Sequence, residues 1–198
     1  MGNLIVANAS KGHKLLNTNI IKLAQQHYQQ GRVIAYPTEA VYGLGCDPLN
    51  QQAVEQVLAL KQRPVEKGLI LVAAHPQALQ AFAQIEQADW SERVLKSWQD
   101  TRQAITWLLP KTRHCPAWIS GQHASVAVRV SHHPTVKSLC QDQVWVSTSA
   151  NPAGEAPALN CQTVRDYFGD ELLCIDAPLG GLAQPSQIWD GLSLTRLR

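Results

Sequence analysis

The chain alternates segments of helical periodicity with short runs of strand-forming residues, and this alternation restricts its fold more than any other feature. Apolar residues recur at helical spacing over 19–30 and 50–63, whereas 32–36 and 69–73 are short apolar runs of strand length. Further helices are predicted over 76–82, 91–98, 134–140 and 163–168, and further strands over 105–109, 125–130, 144–147, 172–175, 187–190 and 192–197. This order predicts an α/β fold with a mixed, twisted sheet, and strands that follow one another without a helix predict antiparallel pairs.

The size and composition of the chain fit one folded domain. It has 198 residues, of which 45% are hydrophobic and 16% charged, so it can bury a core and differs from disordered chains. We predict a single domain over 18–198, preceded by an N-terminal extension over 1–17 that carries no assignment. The formal net charge of +2 is too small to indicate a dedicated nucleic-acid binder.

The cysteines and the N-terminal residues indicate the cellular compartment of the protein. The cysteine count is odd and contains no C-x-x-C pair, so we expect reduced core residues rather than zinc ligands or disulfides. These cysteines are Cys46, Cys115, Cys140, Cys161 and Cys174. The N-terminus has no signal-peptide pattern, and no apolar run approaches the roughly 18 residues of a membrane helix. We therefore expect a cytoplasmic protein without a membrane partner.

A cluster of cations lies where the predicted helix 50–63 ends and a buried strand follows. Lys61, Arg63 and Lys67 fall within the segment K-Q-R-P-V-E-K. Cations are favoured at helix C-termini by the helix dipole, and charge runs often form solvated faces. A polyphosphate site also requires several fixed donors, and arginine binds phosphate oxygens in a bidentate manner. From these residues both interpretations stay open.

Three further segments could bind a ligand. S-T-S-A-N at 147–151 follows a predicted strand, at the edge where open α/β sheets bind ligands, although the same residue types also favour turns. Gly43 and Gly45 permit a ligand to approach the backbone closely, but the chain has no complete phosphate-loop motif. Arg129 interrupts the apolar strand 125–130, where its side chain can point away from the valines and form an edge charge or bind a substrate carboxylate.

Five motifs together resemble the YrdC-like family, and they occur in the family's order. They are A-Y-P-T-E-A-V-Y-G-L-G, L-K-Q-R-P-V-E-K-G-L-I-L, S-V-A-V-R-V, S-T-S-A-N and P-S-Q-I-W-D, extending from about residue 20 to 198, and the resemblance is greatest to short bacterial members. It implies a twisted mixed sheet with flanking helices around a positively charged cavity. It also implies a nucleotidyltransferase that uses ATP, L-threonine and bicarbonate to form L-threonylcarbamoyladenylate and pyrophosphate.

The same resemblance implies roles for individual residues. The family's K-x-R motif falls on Lys61 and Arg63, which would be catalytic. The implied ATP-binding residues are Lys61, Arg63, Lys67, Ser125, Ser149, Asn151 and Arg198. The implied threonine-binding residues are Thr38, Arg129, Ser147 and Ser186. Mg²⁺ is expected to assist, without a predicted set of protein ligands, and other proteins would transfer the threonylcarbamoyl group to tRNA.

The chain departs from the family pattern at 98–104 and at Pro157, which affects the contacts expected at those places but not the cationic residues. Two other functions stay open. One is an RNA-binding module that uses the same basic cavity without catalysis. The other is a related acyl-adenylate enzyme that acts on another carbamoyl donor. Direct tRNA binding is expected to be weak and to fall with salt, because the net charge is small.

Overall fold

A computed structural model describes residues 18–86 and 89–198, and it confirms an α/β fold built on a mixed sheet. The helices are α1 (Thr18–Gln29), α2 (Gln51–Lys61), α3 (Pro76–Leu79), α4 (Ser91–Ser97), α5 (Ala117–Ser120), α6 (Pro134–Cys140) and α7 (Cys161–Phe168). The strands are β1 (Ile34–Pro37), β2 (Tyr42–Gly45), β3 (Ile70–Ala73), β4 (Ile105–Pro110), β5 (Ser125–Val130), β6 (Trp145–Ser149), β7 (Leu173–Cys174) and β8 (Gln187–Asp190). The extension predicted over 1–17 lies outside the described residues.

The strands form one sheet in the order β7-β1-β2-β6-β3-β5-β4-β8. The pairs β1–β2, β2–β6, β3–β6 and β4–β5 are antiparallel, whereas β1–β7, β3–β5 and β4–β8 are parallel. Of the antiparallel pairs, β4–β5 joins two predicted strands with no predicted helix between them, so that expectation is confirmed. Strand β6 joins the two halves of the sheet, so its polar C-terminal end lies near the middle of the fold. Within the described part of the chain, no helix has the length and apolar character needed to cross a bilayer.

The two faces of the sheet are covered differently, and this difference creates a cavity. The three valines of β5 point into the larger core, together with alternate residues of the neighbouring strands. On the opposite face, Tyr36 and Trp145 pack with residues of α1 and α6 in a smaller core. The remaining part of that face lines a cavity, to which β5 contributes Ser125 and Arg129. Arg129 therefore points away from the valines, as strand alternation predicts.

Helix α2 carries Lys61 to this cavity, and local sequence sets both of its ends. The Asn50 side chain caps the start, where its Oδ1 accepts a hydrogen bond from the Ala53 amide at 3.1 Å. At the other end Gln62 adopts the left-handed conformation with φ of 50°, and Pro64 follows shortly afterwards. The prediction that this helix ends near residue 63 is confirmed.

Three of the differences between the structure and the predicted elements concern β2, α5 and the segment over 192–197. Strand β2 has no visible periodicity, and a Cβ at Gly45 would lie 2.6 Å from the Val146 carbonyl oxygen, so the close approach of β2 to β6 requires glycine. Helix α5 was not predicted because a single turn is too short to show a period. The predicted strand over 192–197 is wrong, since that segment forms a turn with an isolated bridge between Trp189 and Arg196.

Cys161 and Cys174 form a disulfide, so the expectation of reduced cysteines is wrong for this pair. Their Cα atoms lie 5.9 Å apart because the start of α7 lies beside β7, and this separation is ordinary for a disulfide. Their spacing in the sequence did not indicate the pair, because tertiary packing brings the two segments together. Cys46, Cys115 and Cys140 are free and buried, as predicted.

We expect reduction of this disulfide to lower the free energy of unfolding by about 3 kcal/mol, the value that chain entropy gives for a loop of about 15 residues. The measurement is urea unfolding with and without reductant. The Cys161→Ser/Cys174→Ser double variant is the control, because reductant should leave its stability unchanged. When the protein with its natural sequence is denatured without reductant, thiol titration should give three free thiols. Five thiols before reduction, or no change in stability, would contradict this prediction.

Candidate functional site

A cavity of about 740 Å³ occupies the open part of the sheet face, and this volume is in the range of small-molecule sites. It lies beside β2, β3, β5 and β6 and is bordered by the segments before β3, after β6 and before β8. The cavity wall contains every residue of the two sets implied by the sequence: Thr38, Lys61, Arg63, Lys67, Ser125, Arg129, Ser147, Ser149, Asn151, Ser186 and Arg198. The fold thus brings residues from five separate motifs into one space.

Lys61 is buried, and its ammonium group is held by the segment that follows β6. Nζ donates to the carbonyl oxygens of Ser149 and Asn151, the latter at 2.9 Å, and to Asn151 Oδ1 at 3.2 Å. Burial, and to a lesser degree the charge of Arg63, lowers the pKa of Lys61 to about 8. The ammonium therefore connects the end of α2 to the S-T-S-A-N segment and places a positive charge in the cavity wall.

The Arg63 guanidinium is fixed by its own loop. Nε and Nη2 donate to the Gly68 carbonyl oxygen at 3.2 and 2.9 Å, and Nη2 also donates to the Lys67 carbonyl oxygen at 3.2 Å. Burial lowers the pKa of Arg63. Nη1 has no hydrogen-bond partner among residues 18–86 and 89–198, so this edge of the guanidinium can bind an anion in the cavity. Lys67 is exposed at the border of the cavity.

Arg129 forms a buried ion pair with Glu39, a residue to which sequence reasoning gave no role. Arg129 Nη1 lies 2.7 Å from Glu39 Oε2, while Glu39 Oε1 accepts hydrogen bonds from Ser131 Oγ and from the His132 amide. Burial opposes ionisation of Glu39, but Arg129 and Ser131 outweigh it and lower the pKa of this carboxyl to about 2. An acidic residue directly after Thr38, with one arginine on an apolar strand, is the only signal of this pair that the sequence carries.

Gly43 lies beside two of the predicted threonine-binding side chains. A Cβ at Gly43 would lie 3.5 Å from Thr38 Cγ2 and 3.6 Å from Ser147 Oγ. The Thr38 hydroxyl donates to the Val41 carbonyl oxygen at 2.7 Å, which fixes its rotamer. Thr38, Gly43 and Ser147 therefore line the same part of the cavity, where Gly43 presents its backbone and no side chain.

Ser186 and Arg198 lie together on the side of the cavity formed by the C-terminal segment. The Ser186 hydroxyl is 2.8 Å from the hydroxyl of Thr106, a fully buried residue of β4. Arg198 Nη2 donates to the Ser186 carbonyl oxygen at 3.0 Å. The sequence assigned these two residues to different substrates, and the structure places them next to each other. Pro157, one of the departures from the family pattern, also lines the cavity.

The cavity wall contains little that could hold a metal directly. Among the described residues that line it, Glu39 has the one acidic side chain, and Arg129 and Ser131 already bind both of its oxygens. Elsewhere in the described part of the chain, no group of three or more His, Cys, Asp or Glu side chains is arranged to bind a metal ion.

Comparison with known proteins identifies the family to which this chain belongs. The family model described as Sua5_yciO_yrdC, telomere recombination, matches residues 26–197. Threonylcarbamoyl-AMP synthase of Hydrogenovibrio crunogenus is 47% identical over 180 residues, covering 90% of this chain and 96% of that protein. Threonylcarbamoyl-AMP synthase of Pseudoalteromonas translucida is 48% identical over 169 residues, covering 83% of this chain and 89% of that protein.

Solved structures share the fold. P. abyssi Sua5 complexed with L-threonine aligns with a TM-score of 0.77 and 29% identity over 86% of this chain, which spans 50% of that chain. E. coli YciO aligns with a TM-score of 0.75 and 20% identity over 88% of this chain and 84% of that one, a likeness of fold. Because the family model covers residues 26–197 and relatives are similar over almost the whole chain, this protein belongs to the Sua5/YciO/YrdC family.

Proposed function

We propose that this chain is a threonylcarbamoyl-AMP synthase, an enzyme that converts L-threonine, bicarbonate and ATP to L-threonylcarbamoyladenylate and pyrophosphate. One observation carries the proposal: a single cavity collects the cations of the K-x-R motif, the polar residues of the S-x-N motif and Arg129. The relatives named threonylcarbamoyl-AMP synthase, at 47% and 48% identity, support it. A dedicated RNA-binding module would not need a set of groups positioned this closely around one small-molecule cavity.

The cationic side of the cavity suits the nucleotide. Threonine and bicarbonate form a carbamate with loss of water, and a carbamate oxygen attacks the α-phosphorus of ATP. The bond from that phosphorus to the bridging oxygen breaks, and pyrophosphate leaves. Negative charge grows on the phosphate oxygens and the leaving group, so positioning and fixed positive charge supply the catalysis. Arg63 offers Nη1, Lys67 adds a second charge, and Lys61 adds its charge while it holds Ser149 and Asn151 in place.

The remaining cavity residues divide between the two substrates. Ser125 and Arg198 bind ATP together with Ser149 and Asn151. Arg129 binds the carboxylate of threonine, and the space beside Gly43 receives its side chain between Thr38 and Ser147, with Ser186 nearby. The P. abyssi Sua5 complexed with L-threonine supports a threonine site within this fold.

The proposed reaction implies a metal ion, partner proteins and a cellular location. Mg²⁺ would have little acidic side-chain ligation from this cavity, because Glu39, the one acidic side chain lining its described part, is already paired with Arg129. When bound, it supplies charge stabilisation at the phosphates. The product passes to tRNA threonylcarbamoyl-transferase proteins, and direct tRNA binding is weak and salt-sensitive. A reaction that uses ATP and serves tRNA modification belongs in the cytoplasm.

The decisive experiment omits one substrate at a time while pyrophosphate release and ATP-to-AMP conversion are measured. We expect release only when ATP, threonine and bicarbonate are all present. Salt-sensitive RNA binding without turnover would instead favour the RNA-binding module. Turnover that prefers another carbamoyl precursor to threonine would favour the related acyl-adenylate enzyme.

We expect kcat/KM for ATP, measured by pyrophosphate release, to fall as the pH rises through about 8, because this parameter reports the free enzyme, in which Lys61 loses its proton and its charge there. Below this pH the ammonium is charged and kcat/KM is at its plateau. Lys61→Arg keeps its charge at every pH of the assay, so this decline should disappear from its profile even if its rate is lower. A decline at the same pH in both proteins would contradict the assignment to Lys61.

A further inference from the structure

Glu39 is a buried carboxylate that the mechanism above does not use. Its side chain is 13% exposed, and it accepts hydrogen bonds from Arg129 Nη1 at 2.7 Å, from Ser131 Oγ and from the His132 amide at 3.3 Å. Its backbone is also held, because the Leu182 amide donates to the Glu39 carbonyl oxygen at 2.9 Å. The loop between β1 and β2 is thereby fastened to the end of β5. Such a carboxylate is costly to bury unless it is paired, which points to a role for the pair.

The pair determines the orientation of Arg129. A guanidinium is planar, so a bond from Nη1 to a fixed carboxylate sets the directions of the other donors, Nε and Nη2. Neither of these two nitrogens has a hydrogen-bond partner in the described part of the chain. Since Arg129 lines the cavity, they form a fixed fork that matches a single carboxylate.

Glu39 also changes how charge is distributed around the cavity. The cations Lys61, Arg63 and Lys67 have no carboxylate partner among the described residues, whereas the charge of Arg129 is cancelled by Glu39. A polyphosphate is attracted by uncompensated positive charge, so it is drawn to the first group. Binding of the carboxylate of a zwitterionic amino acid depends more on the geometry of the hydrogen-bond donors than on net charge. Arg129 keeps this donor geometry while it is paired with Glu39.

We propose that Glu39 is a positioning residue that makes the Arg129 subsite selective for an amino-acid carboxylate and prevents polyphosphate from occupying it. This inference rests on the proposed function, because it takes threonine as the amino acid. Glu39 acts through Arg129 and does not itself contact the substrate.

The first test compares Glu39→Gln with the native protein. Calorimetric titration of L-threonine without ATP should show a dissociation constant raised about tenfold, since a hydrogen bond to a charged group is lost and the guanidinium is less constrained. Inorganic pyrophosphate should compete with ATP alone in the native enzyme, and with both ATP and threonine in the variant. Glu171→Gln makes the same charge change at an exposed position and should change neither result. Unchanged threonine affinity in Glu39→Gln overturns the inference.

A double-mutant cycle tests whether Glu39 acts through Arg129. In an Arg129→Ala background, Glu39→Gln should change threonine affinity by less than about twofold, because the group that it positions is gone. If Glu39→Gln and Arg129→Ala have additive effects on the free energy of threonine binding, the inference is overturned. The double variant leaves no unpaired buried charge, and thermal melts report its folding.

A milder variant covers the case in which Glu39→Gln does not fold. Ser131→Ala removes one donor to Glu39 and keeps the ion pair, so threonine affinity should fall about threefold. No change in a folded Ser131→Ala protein would overturn the inference. Native protein that binds threonine but releases no pyrophosphate would contradict the proposed function and leave these affinity comparisons valid.

Discussion

Arg63→Ala and Lys61→Ala should each slow pyrophosphate release by about 10²–10³, the typical cost of removing one preorganised electrostatic donor. Arg63 is already held by the carbonyl oxygens of Lys67 and Gly68, so its free edge needs no reorganisation when charge develops on the phosphates. Arg63→Lys should restore only part of the rate, because lysine cannot reproduce the guanidinium fork. The assay is pyrophosphate release by purified variants at saturating threonine and bicarbonate.

Thermal melts separate this prediction from a role of the cations at the helix end. The dipole interpretation gives each cation only about 0.3–1 kcal/mol of stability and leaves activity nearly normal. Lys96→Ala is the matched control, because Lys96 is an exposed cation in the last turn of α4 and should show that small stability loss with normal activity. Arg63→Ala should melt close to the native protein, because the loop carbonyl oxygens that Arg63 binds lie beside the exposed Lys67, where water can replace the lost donor. Lys61→Ala should lose about 1–3 kcal/mol, since oxygens of Ser149 and Asn151 lose their donor. Folded variants with nearly full activity would refute the catalytic assignment.

Arg129→Ala should raise the KM for threonine by about 10–100-fold and leave the KM for ATP within about twofold of the native value, because charge-assisted hydrogen bonds to threonine alone are lost. The same change should destabilise the protein by about 3–5 kcal/mol, since Glu39 is left as an unpaired buried charge. Steady-state kinetics with each substrate varied in turn measures the first effect, and urea unfolding measures the second.

Glu39→Gln/Arg129→Ala separates these two effects. Removal of both charges should recover much of the stability that Arg129→Ala loses, while threonine binding stays weak. If the ATP and threonine requirements rise equally in Arg129→Ala, Arg129 does not bind the threonine carboxylate. If stability and threonine affinity recover together, the loss of affinity reflects unfolding alone.

Several elements could be predicted because their causes are local. The end of α2 follows from Pro64, which disfavours a helical conformation at the preceding residue, and the burial of β3 follows from its continuous apolar run. In β5 the alternation of valines with Ser125 and Arg129 predicts which side chains face away from the core. Strand β2 and helix α5 could not be predicted, since they are too short for a period and depend on neighbours distant in sequence.

The same distinction between local and long-range causes applies to the candidate site. The sequence by itself determined the α/β class, the order of the motifs and the residue types that could bind an anion or a carboxylate, because periodicity and side-chain chemistry are local properties. Only the tertiary structure decided what these groups contact. Lys61 binds Ser149, 88 positions away, Arg129 binds Glu39, 90 positions away, and Cys161 pairs with Cys174. Sheet pairing and loop packing create these contacts, so the spacing of residues along the chain contains no direct record of them.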